Sequence, residues 1–346
     1  MTSRSLRRVE SGPRRGVHYA PLLYMFLAAL AIRLVVVAFC YTDWAKQGCF
    51  NHWELGSLAR SIALGHGLSN PFSHTGPSAL MPPVYPLLLG GIFNVFGICS
   101  AQSAIFALSL DSLFSALTVI PLFFLARRSF GERVAMWAGW GWAFSPYGIF
   151  VAADWIWVTC LVTFLLVLLF LIALKLEASD KLLPWLGFGL LSGFAALCDP
   201  VVLAVLPLLA AFACYRLQRQ GRRWLVPGAV AALACIAVIS PWTIRNYQTF
   251  HQYIPLRDGF GMELYVGNNG DSSFWVNRFS HPSHNTAELD EYQRLGEIGY
   301  MAEKREQAFA FIRIHPGWFV WMSLRRAVYM WANFWSFDPA YLHEEP

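Results

Sequence analysis

The residues best suited to chemistry in this 346-residue chain are few, and they stand between long apolar runs. Glu54 follows Asn51-His52-Trp53 and, with Asp43, supplies the acidity of the stretch 43–101. A carboxylate there can take the proton of an attacking hydroxyl. The same spacing also fits a capping box, with Asn51 as N-cap and Glu54 three residues on. Both readings of Glu54 stand. Asp154, beyond Ser145-Pro146-Tyr147, is a third acid of interest, with first-turn capping of the following helix as its structural alternative. Asp199, before Pro200, reads as a cap. Asp111 lies inside an apolar run, where an ionisable group is costly, and an interhelical hydrogen bond to a serine or threonine is the favoured reading. Arg245 in PWTIRNY and Arg257 in PLRDG carry planar forks that match a phosphate. For Arg245, at the end of an apolar run, contact with lipid headgroups is the plainer alternative. His66, Pro83, Tyr85, Asn246, Glu263, Asn268 and Asn269 are the polar and turn-forming residues expected to line a site with these groups. His281, His284 and Glu288 have a spacing a metal can use, but no fourth ligand follows and the stretch reads as loop, so no zinc site is assigned. There is no Walker A motif, no GxGxxG and no Asp-x-Asp pair for a metal–diphosphate.

The elements that must hold these residues are membrane helices. Hydrophobic residues make up 56%, aromatic residues 16% and charged residues only 14%, against roughly a quarter charged in soluble domains. That excludes a soluble enzyme, a disordered chain and, despite the net charge of +5, a nucleic-acid binder. The expected fold is an all-α polytopic bundle. Arg4, Arg7, Arg8, Arg14 and Arg15 form a basic tail, residues 1–19, before the first apolar run, the place of a positive-inside signal. That run, about Pro21 to Tyr41, is too long for the core of a cleaved signal peptide, and no A-x-A site follows it. Further clusters at Arg127, Arg128 and Arg133, at Lys175 and Lys181, and at Arg216, Arg219, Arg222 and Arg223 each mark a cytoplasmic junction. The bundle, residues 20–241, then has spans near 20–42, 102–126, 133–150, 155–174, 183–198, 200–215 and 223–241.

One apolar segment does not fit this alternation. Pro83 to Ile98 is short, contains Pro86, Gly90 and Gly91, and lacks flanking charge. If it crossed, the arginines after 102–126 would be forced outside. It reads as re-entrant or interfacial, so residues 43–101 form an outer loop that dips into the membrane. Within that loop Leu55, Leu58, Ile62 and Ala63 repeat at helical spacing, giving a surface helix that ends at Gly65. Residues 242–316 read as a second outer-face loop region without a core of its own. Residues 317–346 hold an interfacial or short membrane helix, Trp318 to Trp335, interrupted by Arg325 and Arg326. The cysteines number seven, mostly within apolar helices and without metal spacing, and read as small buried side chains. Cys49 and Cys99 could meet outside the membrane, but no disulfide between them is expected.

In order, these segments resemble the GT-C glycosyltransferases, specifically the family 39 group of protein O-mannosyltransferases and lipid A aminoarabinose transferases. The resemblance runs from about 20 to 335. It is carried by the loop acid before LARSIALGHGLSNPF, by TGPSALMPPVYPLLLGGIFNVFG, ARRSFGER, SPYGIFVAADWIW and FGLLSGFAALCDP, and by SPWTIRNYQTFHQYIPLRDGFGMELYVGNN. It implies a catalytic acid in the first outer loop, surface helices including a P-Y-P helix that build the site, and a sugar donor on a polyprenyl phosphate with inversion at the anomeric carbon. Where the family often shows Asp-Glu or Asp-Tyr, this chain has Asn-His-Trp-Glu, which leaves Glu54 and Asp43 both as bases. Many members carry further spans beyond the region where this sequence ends, so it reads as a short or truncated member.

The implied reaction places one carboxylate as base and an arginine, Arg245 or Arg257, on the leaving phosphate. One phosphate can be balanced by arginine without a metal, and the resemblance leaves open a divalent ion. The expected partners are a polyprenyl-phosphate sugar, membrane lipids and a glycan, lipid or protein acceptor, at a bacterial inner membrane with the site facing outward. A lipid or small-molecule transporter is the alternative from another class, but repeated halves with matching broken helices are missing. A non-catalytic subunit of a glycan-assembly complex is the third reading.

Overall fold

The computed structural model describes residues 19–46, 54–272 and 278–332. The basic tail, Cys49 and the Asn51-His52-Trp53 lead-in lie outside them. Among the described residues there are fourteen α-helices and no strand, only an isolated antiparallel bridge between Ser69 and Pro77. The protein is thus an all-α polytopic membrane protein.

Helix α1 (Tyr19–Lys46) is followed by α2 (Glu54–Ala63) and α3 (Val84–Phe96), then by α4 (Ala101–Leu117) and α5 (Val119–Phe130), which continue each other. Helix α3 has 13 residues, about 20 Å at 1.5 Å per residue, short of the ~30 Å hydrocarbon core. Among the described residues five helices are long and apolar enough to cross: Ala20–Phe39, Ala101–Phe130, Thr159–Leu176, Pro200–Arg219 and Leu225–Phe250.

Several boundaries differ from the sequence expectation. The run 133–150 is two helices, α6 (Glu132–Ala143) and α7 (Pro146–Asp154). They break at Ser145, whose hydroxyl caps α7 by accepting from the Gly148 N–H at 3.2 Å. Asp154 therefore ends α7 and does not open α8 (Thr159–Leu176). Helix α9 (Leu182–Cys198) leads to a 3-10 turn, Pro200–Ala204, with Asp199 accepting from the Val201 N–H at 3.0 Å, the capping role its position suggested. Helix α10 (Leu206–Arg219) follows. The last long span, α11 (Leu225–Phe250), runs through Pro241 well past the expected end at 241. The polar side chains there are satisfied locally: Ser240 donates to the Ile236 carbonyl at 2.6 Å, and Thr249 to that of Arg245 at 2.8 Å.

Residues 242–316 hold more than a loop. They contain α12 (Phe260–Gly267) and the long α13 (Thr286–Ile314), followed by α14 (Pro316–Ala332). Tyr292, Tyr300 and Met301 of α13 pack with Met262 and Val266 of α12 and with Phe72 and Leu80, a small core of its own. Sequence reading missed it because α13 alternates charge with aromatic residues and presents no continuous apolar face.

Two devices lock the bundle. Gly189 and Gly193 of α9, spaced GxxxG, face the Ala231 and Cys235 carbonyls of α11 so closely that a Cβ at either would collide with backbone. Small residues at this spacing let membrane helices approach without a hydrophobic driving force. Arg33, wholly buried in α1, donates to Ser115 Oγ (2.9 Å) and to the carbonyls of Ala29, Ala143 and Trp142 (3.0, 3.1 and 3.2 Å). Its charge thus satisfies the carbonyl end of α6 where the chain breaks, a favourable placement at a helix C-terminus. Asp111 pairs not with a serine or threonine but with Tyr85, whose hydroxyl donates to Oδ2 at 2.6 Å, tying α3 to α4.

Candidate functional site

Glu54 is the first described residue of α2 and is 7% exposed. Its Oε1 lies 2.9 Å from Nε2 of His281, itself 6% exposed. The Ser283 N–H donates to His281 Nδ1 at 3.2 Å, so Nε2 is the nitrogen that carries the proton toward Glu54. The imidazole is thereby fixed in one tautomer, and Phe72 meets it edge-on with ring centroids 5.5 Å apart. Burial pushes the Glu54 carboxyl up, but the hydrogen bond from His281, its own backbone amide and Arg257 outweigh this and hold it below the ordinary glutamate range. The result is a buried carboxylate kept ionised and aimed. Asn51, the expected N-cap, lies outside the described residues, as does the side chain of Asp43 in the last turn of α1.

A cavity of about 520 Å³ is lined by chain neighbours of this pair, Ser57 on one side and Pro282 and Ser283 on the other, but not by Glu54 or His281 themselves. Ser57, Arg60 and Ser61 of α2 reach it from one helical face, and Leu64 and His66 reach it from the turn after α2. Arg257 couples electrostatically to Glu54, is about one-third exposed and pairs with the exposed Glu263 at 3.1 Å.

Arg245 is placed differently from its expectation. Its guanidinium donates to the carbonyls of Ser78 (2.8 Å) and Leu68 (3.0 Å) and to Asn246 Oδ1 (3.0 Å), and lies over the Trp242 ring at 4.9 Å. The fork a phosphate would occupy is taken up by the loop between α2 and α3. On the other side of that loop the Ala79 N–H donates to Glu297 Oε1 at 2.6 Å. One peptide unit, Ser78–Ala79, is thus gripped at its oxygen by an arginine and at its N–H by a carboxylate. Glu297 follows the kink at Gly296, where φ is +68° and glycine is favoured. It also accepts from the Tyr292 hydroxyl at 2.8 Å. Burial raises its carboxyl to about 7, opposed by bonds from Ser78, Ala79 and Tyr292 and aided by Asp258.

The remaining candidates divide. His66 lines the cavity. Pro83 precedes α3, and Tyr85 turns inward to Asp111. Asn246 is wholly buried and donates to the Ile254 carbonyl at 3.0 Å. Asn268 donates to the Leu264 carbonyl at 2.9 Å, and Asn269 to Ser280 Oγ at 3.0 Å, which steadies the residue before His281. These are supports more than contacts for a ligand. Of the suggested metal set, His281 is engaged by Glu54, and Glu288 by Lys304 (2.7 Å) and Tyr300 (2.6 Å). Among the described residues no three or more His, Cys, Asp or Glu side chains gather as a metal ion needs. Cys99 is disulfide-bonded, with its partner outside the described residues, and Cys160, Cys198, Cys214 and Cys235 are free.

Sequence reasoning missed His281 as the partner of Glu54, and with it Glu297, Lys304 and Arg60. Only His281 carried a signal, its polar HPSH setting, and that pointed to metal.

Residues 81–244 match the family described as dolichyl-phosphate-mannose-protein mannosyltransferase. This match supports a membrane glycosyltransferase of the GT-C type. The matched segment carries Pro83, Tyr85, Asp111 and Asp154, while Glu54, Arg257 and His281 lie on either side of it. No curated protein and no solved structure gives a match.

Proposed function

We propose that this GT-C glycosyltransferase moves a sugar, with inversion, from a polyprenyl-phosphate donor to a hydroxyl acceptor at the outer face of a bacterial inner membrane. The observation that carries the reading is the buried Glu54 carboxylate, held ionised with the help of His281, one helical turn from Ser57 in the lining of a cavity. A base so prepared takes the acceptor proton as the acceptor oxygen attacks the anomeric carbon and the bond from that carbon to the phosphate oxygen breaks. The electron pair leaves on the polyprenyl phosphate, whose growing charge Arg257, near enough to act on Glu54, balances. Arg257 suits this better than Arg245 because its one side-chain partner, Glu263, is exposed and easily exchanged. Arg245 instead holds the loop that frames the site. Asp43 and Asp154 are the alternative bases.

The direct test is turnover by the purified protein in nanodiscs against a panel of polyprenyl-phosphate sugars. Sugar-dependent release of polyprenyl phosphate, abolished by Glu54→Gln, is expected. Release that persists undiminished in Glu54→Gln would remove Glu54 from the chemistry.

A further inference from the structure

The end of the bundle away from Arg245 and the loop it grips carries a second arrangement of charge. Gly189 of α9 meets Ala231 of α11, and Gly193 meets Cys235, so the two helices run parallel at a constant offset. The same offset, carried two turns back toward their starts, sets Lys181 opposite Arg223 and Leu183 opposite Leu225. Contacts between the two preceding turns bring these residues together independently. Gln220 Nε2 donates to the Glu177 carbonyl at 2.9 Å, and Arg222 to the Ala178 carbonyl at 2.5 Å. Lys181, Arg219 and Arg223 are exposed, and none makes an ion pair among the described residues. Glu177, the nearest acid with a partner, is shared by Arg128 at 2.9 Å and Arg216 at 3.2 Å. Asp180 is exposed and makes no ion pair among the described residues. The preference for positive charge at one end of membrane spans accounts for the number of these cations. It does not account for two of them set face to face, which repel unless an anion lies between them.

We infer that this junction is a binding site for an anionic phospholipid, its headgroup phosphate held between Lys181 and Arg223, with Arg219 beside them, and its acyl chains laid along Leu183 and Leu225. Two observations choose a phospholipid over a soluble anion. Leu182, Leu183, Leu225 and Val226 are all exposed and stand within a turn of the cations, so charge gives way directly to an apolar wall. A soluble anion would use the first and leave the second uncovered. The depth also fits. From Leu225 to Arg245 helix α11 rises about 30 Å, the thickness of the hydrocarbon core, so the two ends of this helix stand at the two headgroup levels. The planar fork of Arg223 matches phosphate oxygens, and Lys181 adds a point charge from the other side. Basic pockets between membrane helices hold anionic headgroups in this way. The bound phosphate neutralises the like charges that the close packing of α9 and α11 brings together, and it takes no part in the reaction proposed above.

Binding is read directly, without reference to turnover. Full-length protein in detergent is titrated with phosphatidylglycerol and with phosphatidylcholine and followed by native mass spectrometry, and its thermal transition is measured in nanodiscs of each lipid. One phosphatidylglycerol should be retained in preference to phosphatidylcholine and should raise the transition. Arg223→Gln should weaken phosphatidylglycerol binding about fivefold, and Lys181→Gln combined with Arg223→Gln about twenty-fivefold, at about a factor of five for each basic residue near a headgroup. Arg223→Lys should keep part of it. The transition in phosphatidylcholine nanodiscs should be unchanged in each variant, which shows that it is folded; should the double variant fail to fold, the two single variants at Arg223 decide. Arg133→Gln removes the same charge from the same end of the bundle, but on α6, packed against α1, α5 and α7, and should bind phosphatidylglycerol as the wild type does. An equal loss in Arg133→Gln would reduce the effect to a diffuse field and overturn the inference. Full displacement of phosphatidylglycerol by millimolar inorganic phosphate would overturn it too, since the leucine wall would then contribute nothing. So would equal retention of the two lipids by the wild type.

Discussion

Replacing Glu54 by glutamine isolates the proton-transfer role from the structural one. Glutamine keeps an oxygen able to accept the His281 Nε2–H, now at 2.9 Å from Oε1, and loses only the charge-assisted part of that bond. The stability cost is about 1 kcal/mol. If Glu54 takes the acceptor proton, the same change costs about 10² to 10⁴ in rate, equivalent to roughly 3–5 kcal/mol of barrier. Chemistry thus loses several times what folding loses, and the two are separable by measuring kcat beside the thermal transition in nanodiscs. His281→Ala supplies the complementary perturbation. It leaves a carboxylate in a site where both partners are more than nine-tenths buried, and breaking such a pair costs about 3–5 kcal/mol. With His281 removed, only the backbone amide and Arg257 still oppose burial at Glu54, so the acid limb of the rate profile should move to higher pH. His281→Gln, which retains a donor near Nε2, should restore part of both. Full turnover in Glu54→Gln, with Asp43→Asn or Asp154→Asn inactive, would refute the assignment and move the base to that residue.

Two further outcomes follow from the same contacts. Arg257→Ala should raise the donor KM about tenfold or more with little change in thermal stability, whereas Arg245→Ala should lower stability by about 2–4 kcal/mol, because the Ser78 and Leu68 carbonyls lose their donors; donor titrations and melting curves separate the two. Stability should also depend on pH through Glu297. Its folded value, about 7, lies above the ordinary 4.5, so its contribution is full below about pH 4.5 and is lost as pH rises through 7, on the order of 3 kcal/mol in all. Glu54 has the opposite sign: held low, it contributes above the ordinary glutamate value and loses that contribution as pH falls through its lowered one. Melting temperatures of the wild type and Glu297→Gln across pH 5–8 check this, and an unchanged slope in the variant would remove Glu297 as its source.

Sequence alone determined the class of the molecule and roughly where most of its apolar helices lie. A long apolar run has few outcomes in a bilayer, because every backbone group must be satisfied within the segment, and arginine clusters mark the junctions between runs. The short helix at Val84–Phe96, the stop of α2 before Gly65 and the cap at Asp199 were legible for the same reason: each rests on local geometry or length. Glu54 was legible as a candidate but not as a choice between cap and base. What decided its state was His281, distant in sequence and brought beside it by the packing of the α12–α13 unit. That unit was itself read as loop, since its helices bury aromatic and charged side chains together and leave no apolar periodicity to detect. Arg245 shows the limit most plainly. Its type and depth suit a phosphate, yet only the fold reveals that the carbonyls of Leu68 and Ser78 occupy its fork. Local sequence fixes where a helix forms because its hydrogen bonds are internal. The work of a charged side chain is set by whichever group arrives opposite it, and that is a property of tertiary structure.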